Sequence, residues 1–544
     1  MPPNGPPGLT SNVARTIKTA NELLAAGRID DADQLSRSLL AVTASVPVQL
    51  LACAVAEARP DLPQALALVT AALLHHGENA ELLVKQAQVL MQLRRRREGV
   101  EAARRAAEIC PQDARLLQAI AKIHVERNEP AEGKPLLQRA IELSPNDPAI
   151  VYDLAVAHFY LNEMDEASAL LQRVLAVAPG YGVAHYVHSQ LRTQTPESNS
   201  VAILRRALLR PKVRKQDAIP TYFALAKELE DIGEYQESFA VLAEGNRIKR
   251  STLDYDVRND LDAMQNVMNG YTSEALARID DGDQAVGPIF IVGMPRTGAT
   301  LVERILGSHD AVKSLGGLMD FPAALSQMAE RAYLQMNSTD TDFVKASLHM
   351  DFGDLGRGYL GAVQQIANGR NFVVDTLPFN FRYCGLIHKA LPNAKIVHLT
   401  RDPLDTCYAV FKRLFVNAYH YSYRLNELAQ FFVAYRRTMA HWHAVMPGVI
   451  YDLSYEALVA DPPAQCRMLL DFCGLPWQDE VLDYHQSRAA STTASAAQVC
   501  NPIYQTSVKK WRHFEQQLQP VVRRLAEAGL VDLAGNALPK LASS

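Results

Sequence analysis

The stretch Pro288-Ile-Phe-Ile-Val-Gly-Met-Pro-Arg-Thr-Gly-Ala-Thr300 decides how this chain is read. Its apolar run, Ile289 to Val292, predicts a buried strand. A glycine-containing loop follows, and Leu301-Val-Glu-Arg-Ile-Leu306 predicts the first turns of a helix. Strand, loop and helix in that order aim backbone N–H groups and a helix dipole at a phosphate. The spacing Gly293-x4-Gly298-x-Thr300 is nearly that of a Walker A loop, but Ala299 stands where the Lys should be. A nucleoside triphosphatase needs that Lys on its β/γ-phosphates. The loop therefore fits a 5′-phosphate and argues against ATP or GTP hydrolysis and against a P-loop kinase.

A second strand-like run, Ala394-Lys-Ile-Val-His-Leu-Thr-Arg-Asp-Pro-Leu-Asp405, ends in Arg401. An Arg at that place can pair with a phosphate through charge-assisted hydrogen bonds; the alternative is a surface ion pair with Asp402. With these two motifs the chain resembles the sulfotransferases that use 3′-phosphoadenosine-5′-phosphosulfate. Gly293-Met-Pro-Arg-Thr-Gly-Ala-Thr-Leu301 looks like their 5′-phosphosulfate loop and the Arg401 segment like their 3′-phosphate segment. The resemblance covers roughly residues 286–530. It includes Phe379–Ile387, Ala434–Trp442, Tyr455–Pro462, Phe472–Trp477, Thr493–Val499 and Ser507–Trp511. It points to relatives that join tetratricopeptide repeats to a sulfotransferase domain and, more distantly, to tyrosylprotein sulfotransferases.

The resemblance implies an α/β, P-loop-like fold with a parallel sheet. It also implies phosphoadenosine-phosphosulfate as co-substrate and a hydroxyl acceptor, with peptide tyrosine as one option. In-line transfer needs donors on the bridging phosphate and the sulfuryl oxygens. Arg296 is the first candidate, with the backbone N–H groups of Thr297, Gly298, Ala299 and Thr300 and the Thr300 hydroxyl. By resemblance, Tyr455 and the Ser495/Gln498 segment line the nucleotide or substrate site. Trp511 packs either near the adenosine or in the core. The scheme requires no metal, and no metal-ligand cluster stands out in the sequence.

Several family positions are altered. The Glu that serves as base in relatives is Gly317 here, and the Lys of their Asp-Lys-x-Pro segment is Thr376. Ala409 replaces the 3′-phosphate Ser, Ala299 a loop hydroxyl, and Cys500 a basic residue. The site has been either rebuilt or abandoned. Asp375 is the first choice for a substitute base, its alternative role being a strand-end turn acceptor; Asp320 and His309 follow. Lys509 and Lys510 could restore positive charge. Two readings remain open: a sulfotransferase, or a degenerate transferase domain in a tetratricopeptide interaction scaffold.

Upstream, prolines recur at Pro111, Pro145 and Pro179, and small residues at Ala87, Ala121 and Ala155, then Gly99, Gly133 and Ala167. The spacing of 34 residues (145 − 111 and 179 − 145) is the tetratricopeptide period. Repeats are framed at 80–113, 114–147, 148–181 and 219–250, with weaker helical pairs over 13–79 and a connection at 212–218. The expected domains are a disordered tail at 1–12, an all-α tetratricopeptide solenoid at 13–250, a linker at 251–286 and the sulfotransferase domain at 287–535. Strands are expected at 289–293, 371–375, 395–399 and 448–453, in a parallel sheet with helices on both faces. The solenoid is expected to bind a protein or peptide. Arg94–Arg97 reads as a solvated helix end, where cations favour the dipole.

The 544 residues exceed what a single core holds. A formal net charge of −4 argues against nucleic acid as a general partner. No run of 18 apolar residues predicts a membrane span. The seven cysteines form no C-x-x-C pair, which suits a reducing, cytoplasmic setting.

Overall fold

The computed structural model describes residues 7–278, 282–336, 342–367, 369–486 and 508–538. The chain divides into two compact units, Met1–Ala157 and His158–Ser544.

The first unit is a series of helical pairs. Helices begin at Val46, Ala80 and Ala114, and their partners at Leu62, Arg96 and Pro130, so each repeats every 34 residues. The period thus extends one pair further toward the N-terminus than the prolines reveal. Small residues set the close approach within a pair. A Cβ on Gly99 would lie 2.8 Å from Met91 Sδ and 3.2 Å from the Ala87 carbonyl oxygen, and one on Gly133 2.8 Å from that of Ala121. The turns between paired helices pass through left-handed backbone at Arg94 (φ 61°) and Asn128 (φ 63°). Asn79 and Asp113 cap the helices that follow them. The arginine quartet belongs to the turn and the N-terminal start of the helix Arg96–Ile109, with Arg96 itself buried. It is not the cation-favouring helix end expected from sequence. The first helix begins at Pro7, inside the stretch expected as a tail.

In the second unit the repeat-like helices continue through Lys215–Asp231 and Tyr235–Arg250. The span expected as a linker carries the helices Val257–Gly270 and Ser273–Ala277. Tyr271 between them is buried and stacks on Trp442, with ring centroids 6.0 Å apart.

Five parallel strands follow: β1 (Pro288–Gly293), β2 (Val312–Ser314), β3 (Phe372–Asp375), β4 (Lys395–Thr400) and β5 (Ile450–Ser454). Their order is β2-β3-β1-β4-β5. The three-residue β2 was not anticipated. Central parallel strands are covered on both faces, and all six residues of β1 are buried. Alternate residues serve two cores. Phe290, Val292 and Ile396 join Leu386, Phe431 and Trp442 on one face, while Ile289, Ile291, Val397 and Leu399 join Val302, Ile305 and Leu469 on the other. In such sheets ligands sit beyond the carboxyl ends of the strands at the switch in strand order. Here that edge carries the loops after β1, β3 and β4. Among the described residues no helix is long and apolar enough to cross a membrane.

The close contact at Gly133 gives a direct check. Gly133→Val sets a branched side chain against backbone and is expected to destabilise the first unit by about 1–3 kcal/mol. Thermal unfolding monitored by circular dichroism should show a lowered midpoint; an unchanged midpoint would contradict the packing.

Candidate active site

The loop after β1 is shaped by three backbone constraints. Gly293 has φ 141°, and a Cβ there would lie 2.8 Å from the Leu399 carbonyl oxygen of β4. Arg296 lies in left-handed backbone at φ 69°, unusual for a residue with a Cβ. Gly298, at φ 109°, precedes the helix Ala299–Gly307, and a Cβ on it would lie 2.8 Å from the Tyr455 ring. The Thr297 hydroxyl donates to the Met294 carbonyl at 2.8 Å and closes the turn. The amides of a helix's first turn lack partners within the helix, and no side chain caps this one. A tight turn, a helix start and a half-buried Arg296 together suit an anion.

The β4 end meets this loop directly. Arg401 Nη1 donates to the Arg296 carbonyl at 2.9 Å, and the Arg401 guanidinium lies over the Tyr455 ring, 4.8 Å from its centroid. Asp402 caps the helix Pro403–Phe411 through the amides of Leu404 and Asp405. Asp405 in turn accepts from the amides of Lys509 and Trp511 and ties the C-terminal segment to this helix. The structure places Arg296, Thr297, Gly298, Ala299, Thr300, Arg401 and Tyr455 close together. Ser495, Gln498 and Cys500 lie outside the described residues. Trp511 is a buried core aromatic, and Ala409 is buried on the helix Pro403–Phe411.

A largely buried carboxylate anchors lysines near this edge. Glu230, from the helix Lys215–Asp231, accepts from Lys412 Nζ at 2.8 Å and the Tyr408 hydroxyl at 2.8 Å, with Lys510 Nζ 3.5 Å away. Burial pushes the Glu230 carboxyl up, but Lys412 and Lys510 outweigh it and hold it down to about 2. Burial lowers Lys412; Glu230 opposes this, and nearby Lys510 and Arg296 add to the lowering. Sequence motifs did not reveal Glu230, because its partners lie about 180 residues or more further along the chain.

Asp375 does not face an open site. It is fully buried, and its Oδ1 accepts from the amides of Leu318 (3.1 Å) and Leu377 (3.0 Å) while Oδ2 meets the Tyr359 hydroxyl. That is the geometry of a turn acceptor. His309 is also internal: its Nδ1 accepts from Ala311 N–H, so Nε2–H donates to the Pro476 carbonyl. Asp320 is buried at the start of the helix Asp320–Met336. Gly317 is exposed, and Thr376 lies at the end of β3 with its amide on the Gly316 carbonyl.

Glu303 went unremarked in the sequence. It is buried on the helix Ala299–Gly307. Its Oε1 accepts from the Ser314 hydroxyl and from Gly316 N–H (3.1 Å), and its Oε2 lies 3.5 Å from the Thr376 hydroxyl. Its helix position after a phosphate-type loop was the available signal.

His398, His443 and Asp452 also converge, with ligand-capable atoms within 4.8 Å of one another. Zinc bound at about 2.0–2.1 Å would hold such atoms roughly 3.3 Å apart. His398 Nδ1 and Asp452 Oδ1 sit 2.6 Å apart, a hydrogen bond, and His443 Nε2 reaches the same oxygen at 3.1 Å. The other His398 nitrogen bonds the Tyr435 hydroxyl, which the Met294 backbone also contacts. These hydrogen bonds thereby reach the loop at Met294.

Burial pushes the Asp375 carboxyl up to about 7 from 3.8, with Asp320 adding and the two amides opposing. The fold favours the neutral acid. Its contribution is therefore fully present below about pH 4 and is lost as pH rises through 7. Asp375→Asn keeps an oxygen for both amides. Its stability relative to wild type should rise by at least about 1 kcal/mol between pH 5 and pH 8. Denaturant titrations of both proteins across that range test this; a constant difference would contradict the assignment.

Residues 288–479 match the model of the sulfotransferase family, and residues 124–191 that of the tetratricopeptide repeat. An uncharacterized protein of Aquifex aeolicus (strain VF5) is 34% identical over 334 residues, covering 60% of this chain and 44% of that one. Protein-tyrosine sulfotransferase A of Caenorhabditis elegans is 24% identical over 258 residues, covering 43% of this chain and 63% of that one. Protein-tyrosine sulfotransferase 1 of Danio rerio is 24% identical over 246 residues, covering 41% and 65%. The chain thus spans 44% to 65% of the length of these relatives. Among solved structures, the sulfotransferase domain of the Synechococcus PCC 7002 olefin synthase aligns with a TM-score of 0.35 at 18% identity, over 48% of this chain and 99% of that one. MamA aligns at 0.24 and 16%, over 34% and 96%. These scores add no weight to the sheet order and family matches. Two separate segments of the chain thus match the tetratricopeptide-repeat model and the sulfotransferase family model.

Proposed function

We propose that the protein transfers a sulfuryl group from 3′-phosphoadenosine-5′-phosphosulfate to a hydroxyl acceptor. The observation that carries this is the direct contact of two cationic strand ends: Arg401 after β4 donates to the carbonyl of Arg296 after β1. One edge of the sheet then offers positive charge for two phosphates of one nucleotide. In this reading Arg296, the amides of Thr297, Gly298, Ala299 and Thr300, and the Thr300 hydroxyl hold the 5′-phosphosulfate. Arg401 serves the 3′-phosphate, Tyr455 braces both, and Ser495 completes the nucleotide site. Donors preset around the bridging oxygen and the sulfuryl oxygens stabilise charge as the S–O bond breaks.

Peptide tyrosine is the proposed acceptor class, supported by the named activity of distant relatives. The tetratricopeptide repeats, a type that commonly binds proteins, would hold the acceptor protein. The six described cysteines are free and buried, which supports a reducing, cytoplasmic location. A second reading, a scaffold whose transferase domain is degenerate, draws support from Gly317 and Thr376, which offer neither carboxylate nor ammonium.

Calorimetric titration with adenosine 3′,5′-bisphosphate separates the two. The first reading expects one site, weakened about 10- to 100-fold in Arg296→Ala, as loss of a charge-assisted hydrogen bond implies. No binding by folded wild-type protein would remove the transferase reading.

A further inference from the structure

We propose that Glu303, acting through the hydroxyl of Thr376, is the proton acceptor of this site and replaces the carboxylate absent at Gly317. The inference rests on the sulfuryl-transfer reading and deepens it. Gly317 and Thr376 are two of the altered positions that raised the question of a rebuilt or abandoned site. The Glu303 carboxylate lies between the segments that carry them, bonded to Gly316 N–H on one side and within 3.5 Å of the Thr376 hydroxyl on the other. The same two segments are joined by the Thr376 amide on the Gly316 carbonyl at 2.9 Å.

The two carboxylate oxygens are used differently. Oε1 takes both the Ser314 hydroxyl and the Gly316 amide, which is sufficient to fix the turn after β2. Oε2 faces the Thr376 hydroxyl at 3.5 Å, longer than an ordinary O–H···O bond and so only weakly engaged. It can therefore receive a proton without dismantling the turn. Asp375 cannot act this way, since its Oδ1 holds two amides and its carboxyl has no exposed surface.

Burial pushes the Glu303 carboxyl up, while Ser314, Arg304, Gly316 and Thr376 oppose it. A carboxylate raised in this way is a better base near neutral pH than a solvated one. Arg304 on its own helix is the charged group that acts on it. Asp375, with Asp320 beside it, holds the other end of the same turn at Leu318.

The step balances as follows. The acceptor oxygen forms a bond to sulfur as the bridging S–O bond to the 5′-phosphate breaks, and that electron pair leaves with adenosine 3′,5′-bisphosphate. The acceptor's proton passes to Thr376 Oγ1 as the Thr376 proton passes to Glu303 Oε2. Glu303 thus acts at one remove, and Thr376 is the group that meets the acceptor.

The test uses the full chain, with 3′-phosphoadenosine-5′-phosphosulfate as donor and water or 4-methylphenol, a phenol that stays protonated near neutral pH, as the hydroxyl probe. Bisphosphate affinity is measured in parallel on each variant. Glu303→Gln and Thr376→Val should bind bisphosphate like wild type and lose roughly 10²–10⁴-fold in transfer rate. Thr376→Ser should recover at least tenfold over Thr376→Val. The acid limb of the wild-type pH–rate profile should disappear in Glu303→Gln. If that variant does not fold, the shape-conserving Thr376→Val carries the test. Undiminished rates, or an acid limb retained without Glu303, would overturn the proposal. Wild-type protein that binds bisphosphate but transfers to neither probe would overturn it while leaving the donor site intact. Absence of bisphosphate binding would instead remove the sulfuryl-transfer reading on which it rests.

Discussion

The turn after β1 bends through left-handed backbone at Arg296 and Gly298, a shape that costs of order 1–3 kcal/mol at a residue with a Cβ. It persists because its neighbours leave no other arrangement. Gly293 lets β1 run against the Leu399 carbonyl, Gly298 admits the Tyr455 ring, and Arg401 holds the Arg296 carbonyl. These contacts come from β4, from its end and from the end of β5, so the loop is set by the order β1-β4-β5 as well as by its own sequence. A loop held this way is organised before any ligand arrives, which is the condition for strong electrostatic stabilisation in transfer chemistry.

A second constraint reaches the same edge from the helical side of the unit. Glu230 sits on a helix of the repeat-like series, yet its carboxylate binds Lys412 and Tyr408 of the α/β domain. Removing one partner of such a buried pair is far costlier than the pair is stabilising. Repeat helix and domain are therefore one folding entity at this point. Tyr271 packing on Trp442 ties the helical side to the α/β domain in the same way. The sequence segment 251–286 looked like a linker because its charged residues hid the buried stripe of Val257, Met264 and Val267.

The sheet was legible because its four longer strands are short and mostly apolar, and the loop because its glycines and Arg296 are spaced like a phosphate cradle. The repeats were legible because close helix packing demands Gly or Ala at fixed intervals. What escaped were features made by distance in sequence. β2 has three residues and no pattern of its own. Glu303 reads as an ordinary polar helix residue until the turn after β2 and the end of β3 fold onto it. Asp375 looked available as a base because a strand end usually opens to solvent; here the Gly316–Leu318 turn closes over it, and its oxygens are taken by two amides and the Tyr359 hydroxyl. The His398–Asp452–His443 chain joins two strands and a helix, and no local spacing announces it.

The central claim is that the ends of β1 and β4 form one site for both phosphates of a nucleotide. A crystal structure of the protein with adenosine 3′,5′-bisphosphate tests it most directly. The account predicts the 5′-phosphate against the amides of Thr297 to Thr300 and the 3′-phosphate within hydrogen-bonding reach of Arg401. A nucleotide bound elsewhere, or bound here with neither phosphate touching these groups, would contradict it.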